Sequence, residues 1–516
     1  MRKKWLKFTA LAMTALLALP IVACGDGTGD DTGGGINAQG ELEGKLQIIA
    51  PEQGFGIQWL HNLKEGFETK HPQVTVSIKS STLLDKVHIY LTSPKANPYD
   101  LVFCETSQVF TYGEKEYTVA GYKHCYENIQ DVYDTIPEGS DKPIKQMLYD
   151  GVYNYFKTDD TTAYVMPYVA SMFGLMYNTD LVKENELPNT TDELTELCQQ
   201  IESKNKNVSA FVWTKDADYF EQIFETLWAQ YQGQEEWYSY FRSTDINVLK
   251  QKGRQRALEV IANWIDFKTG YADSDSPGLE FIPAQTRLME GKAAFYPCGS
   301  WIENEMDEFF ASGTAPINFM RTPVISSIVE TLEYRDGNNY MSDAMLSDII
   351  DAIDAGETSY SGVSAADFAH IYEARTTYYY ENFIDSVVIP TFSDAKELAK
   401  AFLVYMYSDD GIKQYTKANS GGALPIYYDY TEDMIKGFSA MQKFRLGVQG
   451  NTKNYIFRPR HGSMMSVNFY STKIGPTLGG ISDTLTPEEI IAKTFNYYNA
   501  NAQQQWNLMV EKYQNK

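Results

Sequence analysis

Apolar side chains along this chain recur with two different periods, and the switches between them lay out alternating strands and helices. Lys45-Leu-Gln-Ile-Ile-Ala50 is short, apolar and β-branched, the pattern of a strand. After the Gly-punctuated turn Pro51 to Gly56, apolar positions at Trp59, Leu60, Leu63 and Phe67 follow helical spacing. His71-Pro72 stops that helix, because the residue before proline disfavours helical backbone. Val74 to Ile78 alternates as a second strand, and Tyr99 to Phe103 reads as a third. Strands joined by helical crossovers predict a parallel α/β sheet. In such a sheet the loops after the strand carboxyl ends form the ligand crevice. That brings Glu52, Gln53 and Phe55 to a common rim with Cys104, Glu105 and Thr106.

The same alternation restarts after about residue 160. Ala163 to Tyr168 and Phe173 to Tyr177 read as extended segments flanking Ser171, and Asn178-Thr-Asp180 marks a turn. Thr191-Asp-Glu-Leu carries a helix-start signal. Helices follow from Tyr219 to Tyr231 and around Arg256 to Thr269, then the apolar strand Ala293 to Tyr296, running into Gly299-Ser300-Trp301. Residues 321–385 read as an inserted, mostly helical elaboration, with helices at Ser347 to Ala355 and Ala365 to Tyr380. Ser386 to Pro390 is a strand, Ala395 to Met406 a helix, and Pro487 opens a last helix towards Lys512. No internal repeat supports a repeat-built adhesin.

The amino terminus has a different character. Arg2, Lys3, Lys4 and Lys7 precede an apolar run from Phe8 to Ala23, the form of a secretory signal over residues 1–23. Ile21-Val-Ala-Cys24 has the form of a bacterial lipobox, which makes Cys24 the expected acylated first residue of the mature chain. Gly25 to Gly40, rich in Gly and Asp, cannot bury enough surface to fold and is expected to act as a tether through about residue 43. The expected location is the outer face of the cell membrane.

A hydrophobic content of 43% in 516 residues is enough for a large core and two lobes. The net charge is −24, near −28 once the four cations of residues 1–23 are removed. Such a chain is repelled by nucleic acid and anionic lipid, so the anchor and not electrostatics holds it at a membrane. Four scattered cysteines, Cys104, Cys125, Cys198 and Cys298, form no disulfide framework; buried thiols are expected, with Cys104 to Cys125 the one pairing considered. No metal-ligand spacing is present, so neither metal nor cofactor is expected. Asp273-x-Asp275 with Gly278 hints at a calcium loop, but Ala284 stands where the twelfth-position Glu belongs. Ser393 to Lys396 fits S-x-x-K and Lys268-Thr-Gly270 fits K-T-G, in the wrong order for an acyl-transfer enzyme. No G-x-S-x-G exists, and no catalytic residue is assigned. A two-carboxylate glycoside hydrolase remains the alternative from another class.

Five blocks in order resemble the extracellular solute-binding proteins of ABC importers, the carbohydrate group that includes maltose-binding protein. They are Glu43 to Ile49 with Phe67 to Val76; Tyr99 to Phe103; Pro167 to Leu181; Met289 to Trp301; and Lys396 to Leu403 with Ser408 to Gly411 and Gly421 to Pro425. The resemblance implies an α/β, two-lobed periplasmic-binding-protein-like fold (type II). Each lobe would be a mostly parallel sheet flanked by helices, joined by two or three crossing strands and a hinge. Lobe one would comprise 44–160 plus 321–420, and lobe two 161–320 plus 425–516. It further implies a monomer that binds a carbohydrate, an oligosaccharide on chain length and aromatic content, and hands it to membrane permease subunits; a peptide or polyamine is the alternative solute. The insertion near 325–385 and the segment around 105–160 depart from the family pattern.

The ligand-binding residues carried over by the resemblance are Trp301, whose block commonly stacks a sugar, and Tyr219 at a helix start, with Asp218 as a hydroxyl partner. Ser171 falls at a polar contact, Glu52, Gln53 and Glu105 on the strand-end loops, and Phe469 and Tyr470 where a late aromatic enters the cleft. Aromatic faces cover the C–H face of a pyranose while carboxylates and amides bond its hydroxyls. Each residue also has a packing reading: Trp301 beneath a strand end, Tyr219 on a buried helix face, Phe469 and Tyr470 in the core, Glu52 and Glu105 as rim charges or helix caps.

Overall fold

The computed structural model describes residues 34–457, except 53, 82–89, 92–94, 97, 106–109, 113–114, 118–124, 215–218, 243–250, 266–270, 382–384 and 452–453. Cys24, residues 25–33 of the expected tether and the helix expected after Pro487 lie outside the described residues. The tether expected through about residue 43 ends earlier, because Gly35–Ile36 pairs antiparallel with Leu42 and Glu43 at the edge of the first sheet. None of the described helices is long and apolar enough to cross a membrane.

The first sheet is built outward from the strand Leu42–Ala50. It pairs in parallel with Val74–Ser80 on one side and with Leu101–Glu105 on the other, the arrangement the opening alternation predicts. Helix Gln58–Lys70 makes the crossover and buries Trp59, Leu60, Leu63 and Phe67. The sheet then turns antiparallel: Asp385–Val388 inserts between Leu101–Glu105 and Met166–Pro167. Trp59 stacks on Tyr168 at 5.0 Å and meets Phe103 edge-on, closing the core on this side.

The second sheet centres on Ser171–Asn178, eight buried residues in a row. The sequence reading makes this sheet mostly parallel; instead Ser171–Asn178 runs antiparallel to Ala293–Gly299, Ile317–Met320 and Tyr378–Glu381. Among the described residues only the outer pairs, Ser209–Phe211 with Ala293–Gly299 and Tyr378–Glu381 with Tyr455–Ile456, are parallel. A strand buried on both faces reads as an apolar run whatever its direction, so pattern alone does not separate the two cases. Helix Thr191–Lys204 starts on a capping box: Thr190 accepts from the Glu193 amide, and the Glu193 carboxylate accepts back from the Thr190 amide. Helices Phe220–Gln232 and Lys252–Ile265 pack together behind the sheet, where Trp264 stacks on Phe211 at 5.5 Å.

Residues 321–381 join this second side, not the first as the sequence reading expects. Helices Asp343–Asp354 and Ala365–Thr376 pack on each other, and the second of them packs on Phe220–Gln232. The second of these helices stops at Thr376 instead of Tyr380, because Tyr378, Tyr379 and Tyr380 go into a strand. Two β-branched residues followed by three aromatics favour extended backbone once a partner strand is available.

Among the described residues the chain passes between the sheets three times. The first passage joins Met166–Pro167 to Ser171, the second joins Tyr378–Glu381 to Asp385–Val388, and the third runs from helix Asp409–Thr416 to Tyr455–Ile456. Ala170 and Ala423 exchange backbone hydrogen bonds (2.7 and 3.1 Å), fastening the first passage to the third. Tyr149 packs against this region, stacked on Tyr380 at 5.2 Å with Tyr427 and Tyr455 beside it.

The four described cysteines carry thiols. Register excludes the Cys104–Cys125 pairing: Cys104 faces Ser386, whereas the Cys125 carbonyl bonds the amide of Thr391. Five residues along an extended neighbour is about 16 Å, well beyond the reach of a disulfide.

Candidate functional site

The strand Ala293–Gly299 is buried throughout and ends on glycine for a local reason: a Cβ on Gly299 would lie 2.0 Å from the indole of Trp301. Without that atom the ring folds back over the strand end. Trp301 then leads into the short helix Ile302–Glu305. Its ring meets Tyr219 at 5.4 Å and Phe173 at 5.7 Å, both from the second side. From the first side, Phe55 approaches edge-on at 6.4 Å, carried by the loop after Leu42–Ala50.

Polar contacts reinforce this meeting of the two sides. Asn304 donates through Nδ2 to the Gly54 carbonyl at 2.9 Å. The Ser300 hydroxyl donates to the Gly421 carbonyl in the third passage. Trp301 and Phe55 are 7% and 5% exposed, so in this structure the aromatic faces are covered by one another. The Trp301 ring is thus packed at the seam between the sheets, over the end of its own strand. Opening the seam would uncover an aromatic patch flanked by hydroxyl and amide groups. Such a patch suits a ligand with a weakly polar face and a hydrogen-bonding rim.

Of the residues proposed from sequence, Trp301 and Tyr219 come together directly. Ser171 is fully buried at the start of the central strand, two residues before Phe173, and the Ser300 amide bonds the adjacent Met172 carbonyl at 2.9 Å. Glu52 is exposed on the loop that carries Phe55. The backbone of Glu105 ends its strand opposite Asp385. Gln53, Asp218, Phe469 and Tyr470 lie outside the described residues. Asp273 and Asp275 both bind Arg287, at 2.7 Å for Asp275, so a cation already occupies the calcium-loop hint. Sequence reasoning placed Phe55 at the rim without choosing it, and missed Phe173 and Asn304. Phe173 hides in a uniformly apolar strand, and Asn304 has no local signature.

Behind Trp301, the buried Gln285 donates through Nε2 to the Glu305 carboxylate at 2.5 Å and also approaches the Cys298 thiol. Burial lifts the Glu305 acid to about 7 despite that hydrogen bond, and lifts the Tyr296 and Cys298 groups well above their usual ranges. Between about pH 4.5 and 7 the folded chain keeps a proton on Glu305 that the unfolded chain releases, so stability falls as pH rises across that window. The full effect is about 3 kcal/mol at most. Glu305→Gln is therefore expected to raise the melting temperature at pH 8 while changing it little near pH 5. An equal shift at both values would refute the assignment.

Comparison with known proteins identifies the class. The model of the bacterial extracellular solute-binding protein family matches residues 62–437. The diacetylchitobiose-binding protein of Streptomyces coelicolor is 27% identical over 198 residues, which are 38% of this chain and 41% of that protein. The GacH receptor of Streptomyces glaucescens, solved unliganded and with acarbose, superposes with TM-score 0.56 at 16% identity, covering 89% of this chain and 98% of that one. A Listeria monocytogenes ABC substrate-binding protein in complex with cycloalternan gives TM-score 0.56 at 15% identity over 90% and 99%. The fold is the two-lobed, α/β, type II periplasmic-binding-protein fold. The chain belongs to the bacterial extracellular solute-binding protein family.

Proposed function

We propose that this chain is the receptor of an ABC importer, capturing an oligosaccharide at the seam between its lobes and releasing it unchanged to membrane permease subunits. The observation that carries this reading is the aromatic cluster of Phe55, Phe173, Tyr219 and Trp301. It takes rings from both lobes and meets where the chain passes between them. A sugar ring entering there would exchange aromatic–aromatic contacts for aromatic–C–H contacts, while Asn304, Ser300 and Glu52 supply polar partners for hydroxyls. The names of the related proteins, which refer to diacetylchitobiose, acarbose and cycloalternan, point the same way.

In this reading Cys24 is the acylated anchor, residues 25–33 are the tether, and the mature receptor works as a monomer outside the membrane. The first lobe takes residues 34–167 and 385–420, and the second takes 171–381 with the segment after the third passage. Glu303, two residues after Trp301 in the chain, is bound to Arg445. A carboxylate held in that ion pair is not free to serve as one of the two carboxylates of a hydrolase.

A thermal-shift screen over mono- and oligosaccharides, peptides and polyamines tests this directly. A ligand at about 100 times its Kd stabilises the folded state by about 2.7 kcal/mol. The expected result is a rise in melting temperature with an oligosaccharide recovered intact afterwards. Turnover of the sugar, or a shift with polyamines alone, would replace the proposal.

A further inference from the structure

Glu303 and Arg445 form a fully buried ion pair, with side chains 0% and 1% exposed, at 142 residues' separation in sequence. The guanidinium holds both carboxylate oxygens, Nε to Oε1 at 2.6 Å and Nη2 to Oε2 at 3.2 Å. Arg445 Nη1 also donates to Gln449 Oε1 at 2.9 Å. Gln449 Nε2 in turn donates to the Ala170 carbonyl at 2.9 Å, the same carbonyl that accepts from the Ala423 amide. Each member thus has its bonding groups engaged in one direction, from the loop bearing Trp301 to the point where the first and third passages are fastened together.

Burying two charges is a poor way to gain stability, since desolvation offsets their attraction and apolar side chains of equal volume do as well. What such a fork does provide is geometry, because a bidentate pair fixes angle as well as distance. Helix Ala440–Asn451 carries Arg445 and Gln449 one turn apart, so it acts as a rigid rod between the Trp301 loop and the passages.

We propose that Glu303 and Arg445 are positioning residues for ligand capture, a buried relay that sets the Trp301 loop in register with the segments about which the lobes move. This rests on the ligand reading above for its effect on affinity, but the relay itself can be tested without ligand.

The test compares the full chain with the single variant Glu303→Gln and the double variant Glu303→Leu/Arg445→Met. Three quantities are read: melting temperature, amide hydrogen exchange without sugar, and affinity for diacetylchitobiose. The expected result is a double variant that melts near the parent while the Ser300 and Ala423 amides exchange at least tenfold faster. Diacetylchitobiose binding, where the parent shows it, weakens at least tenfold as well. A double variant that keeps parental exchange at both amides overturns the proposal, whatever its affinity. If the double variant does not fold, the same exchange criterion is applied to Glu303→Gln, which keeps the shape and removes the charge. A parent that binds no diacetylchitobiose leaves the exchange result decisive for the relay and counts only against that sugar as ligand.

Discussion

Trp301→Ala is expected to lower affinity for the captured sugar by about 30- to 1000-fold, the 2–4 kcal/mol typical of an aromatic anchor at the centre of a binding site. It is also expected to cost about 3–5 kcal/mol of stability without ligand, because the ring is 7% exposed and packs on three aromatic neighbours. The two losses separate with Trp301→Leu, which keeps apolar volume and removes the flat face. Leucine should recover much of the melting temperature and little of the affinity. If Trp301→Leu binds sugar as tightly as the parent, the indole is packing only and the ligand lies elsewhere on the seam. Titration calorimetry at a temperature where all three proteins are folded makes the comparison.

Gly421→Ala is expected to be more damaging than any other single methyl in the passages. Gly421 has φ +82°, and a Cβ there would stand 2.0 Å from the Ser300 carbonyl oxygen and 3.0 Å from the Trp301 Cα. Both obstacles are backbone, so a side-chain rotation cannot relieve them. The left-handed conformation alone costs about 1–2 kcal/mol, and the clash should bring the total to about 4 kcal/mol or more, the range of exceptional single substitutions. Gly437 is a matched control, with φ +89° and open space around the added atom. Gly437→Ala should lose only the conformational part. Equal losses in urea denaturation for the two variants would show that the Ser300–Gly421 approach is loose.

The elements legible in the sequence are those whose causes are local. Helix Gln58–Lys70 announces itself through Trp59, Leu60, Leu63 and Phe67 and is stopped by His71-Pro72, so its ends are read to within a residue or two. Helix Thr191–Lys204 carries its own capping box. Tyr378–Glu381 is misread as helix because its strand character comes from pairing with Ser171–Phe173, about 200 residues earlier. The same applies to the site. Trp301 is put forward by the resemblance of its Gly-Ser-Trp block to the family, and Phe55 reaches the rim only as part of the loop after the first strand. Asn304, Arg445 and Gln449 are invisible, since their partners at Gly54, Glu303 and Ala170 lie far along the chain. No periodicity records such a pairing.

The insertion of Asp385–Val388 between Leu101–Glu105 and Met166–Pro167 has a consequence for how the molecule assembles. Until residue 388 has been synthesised, the amino-terminal third lacks an interior strand and presents two unsatisfied sheet edges, which are templates for misassociation. Loop closure over some 280 residues makes that step slow relative to helix formation. A chain ending near residue 380 should therefore aggregate instead of yielding a stable amino-terminal lobe, and refolding of the intact protein should be limited by the arrival of this one late segment.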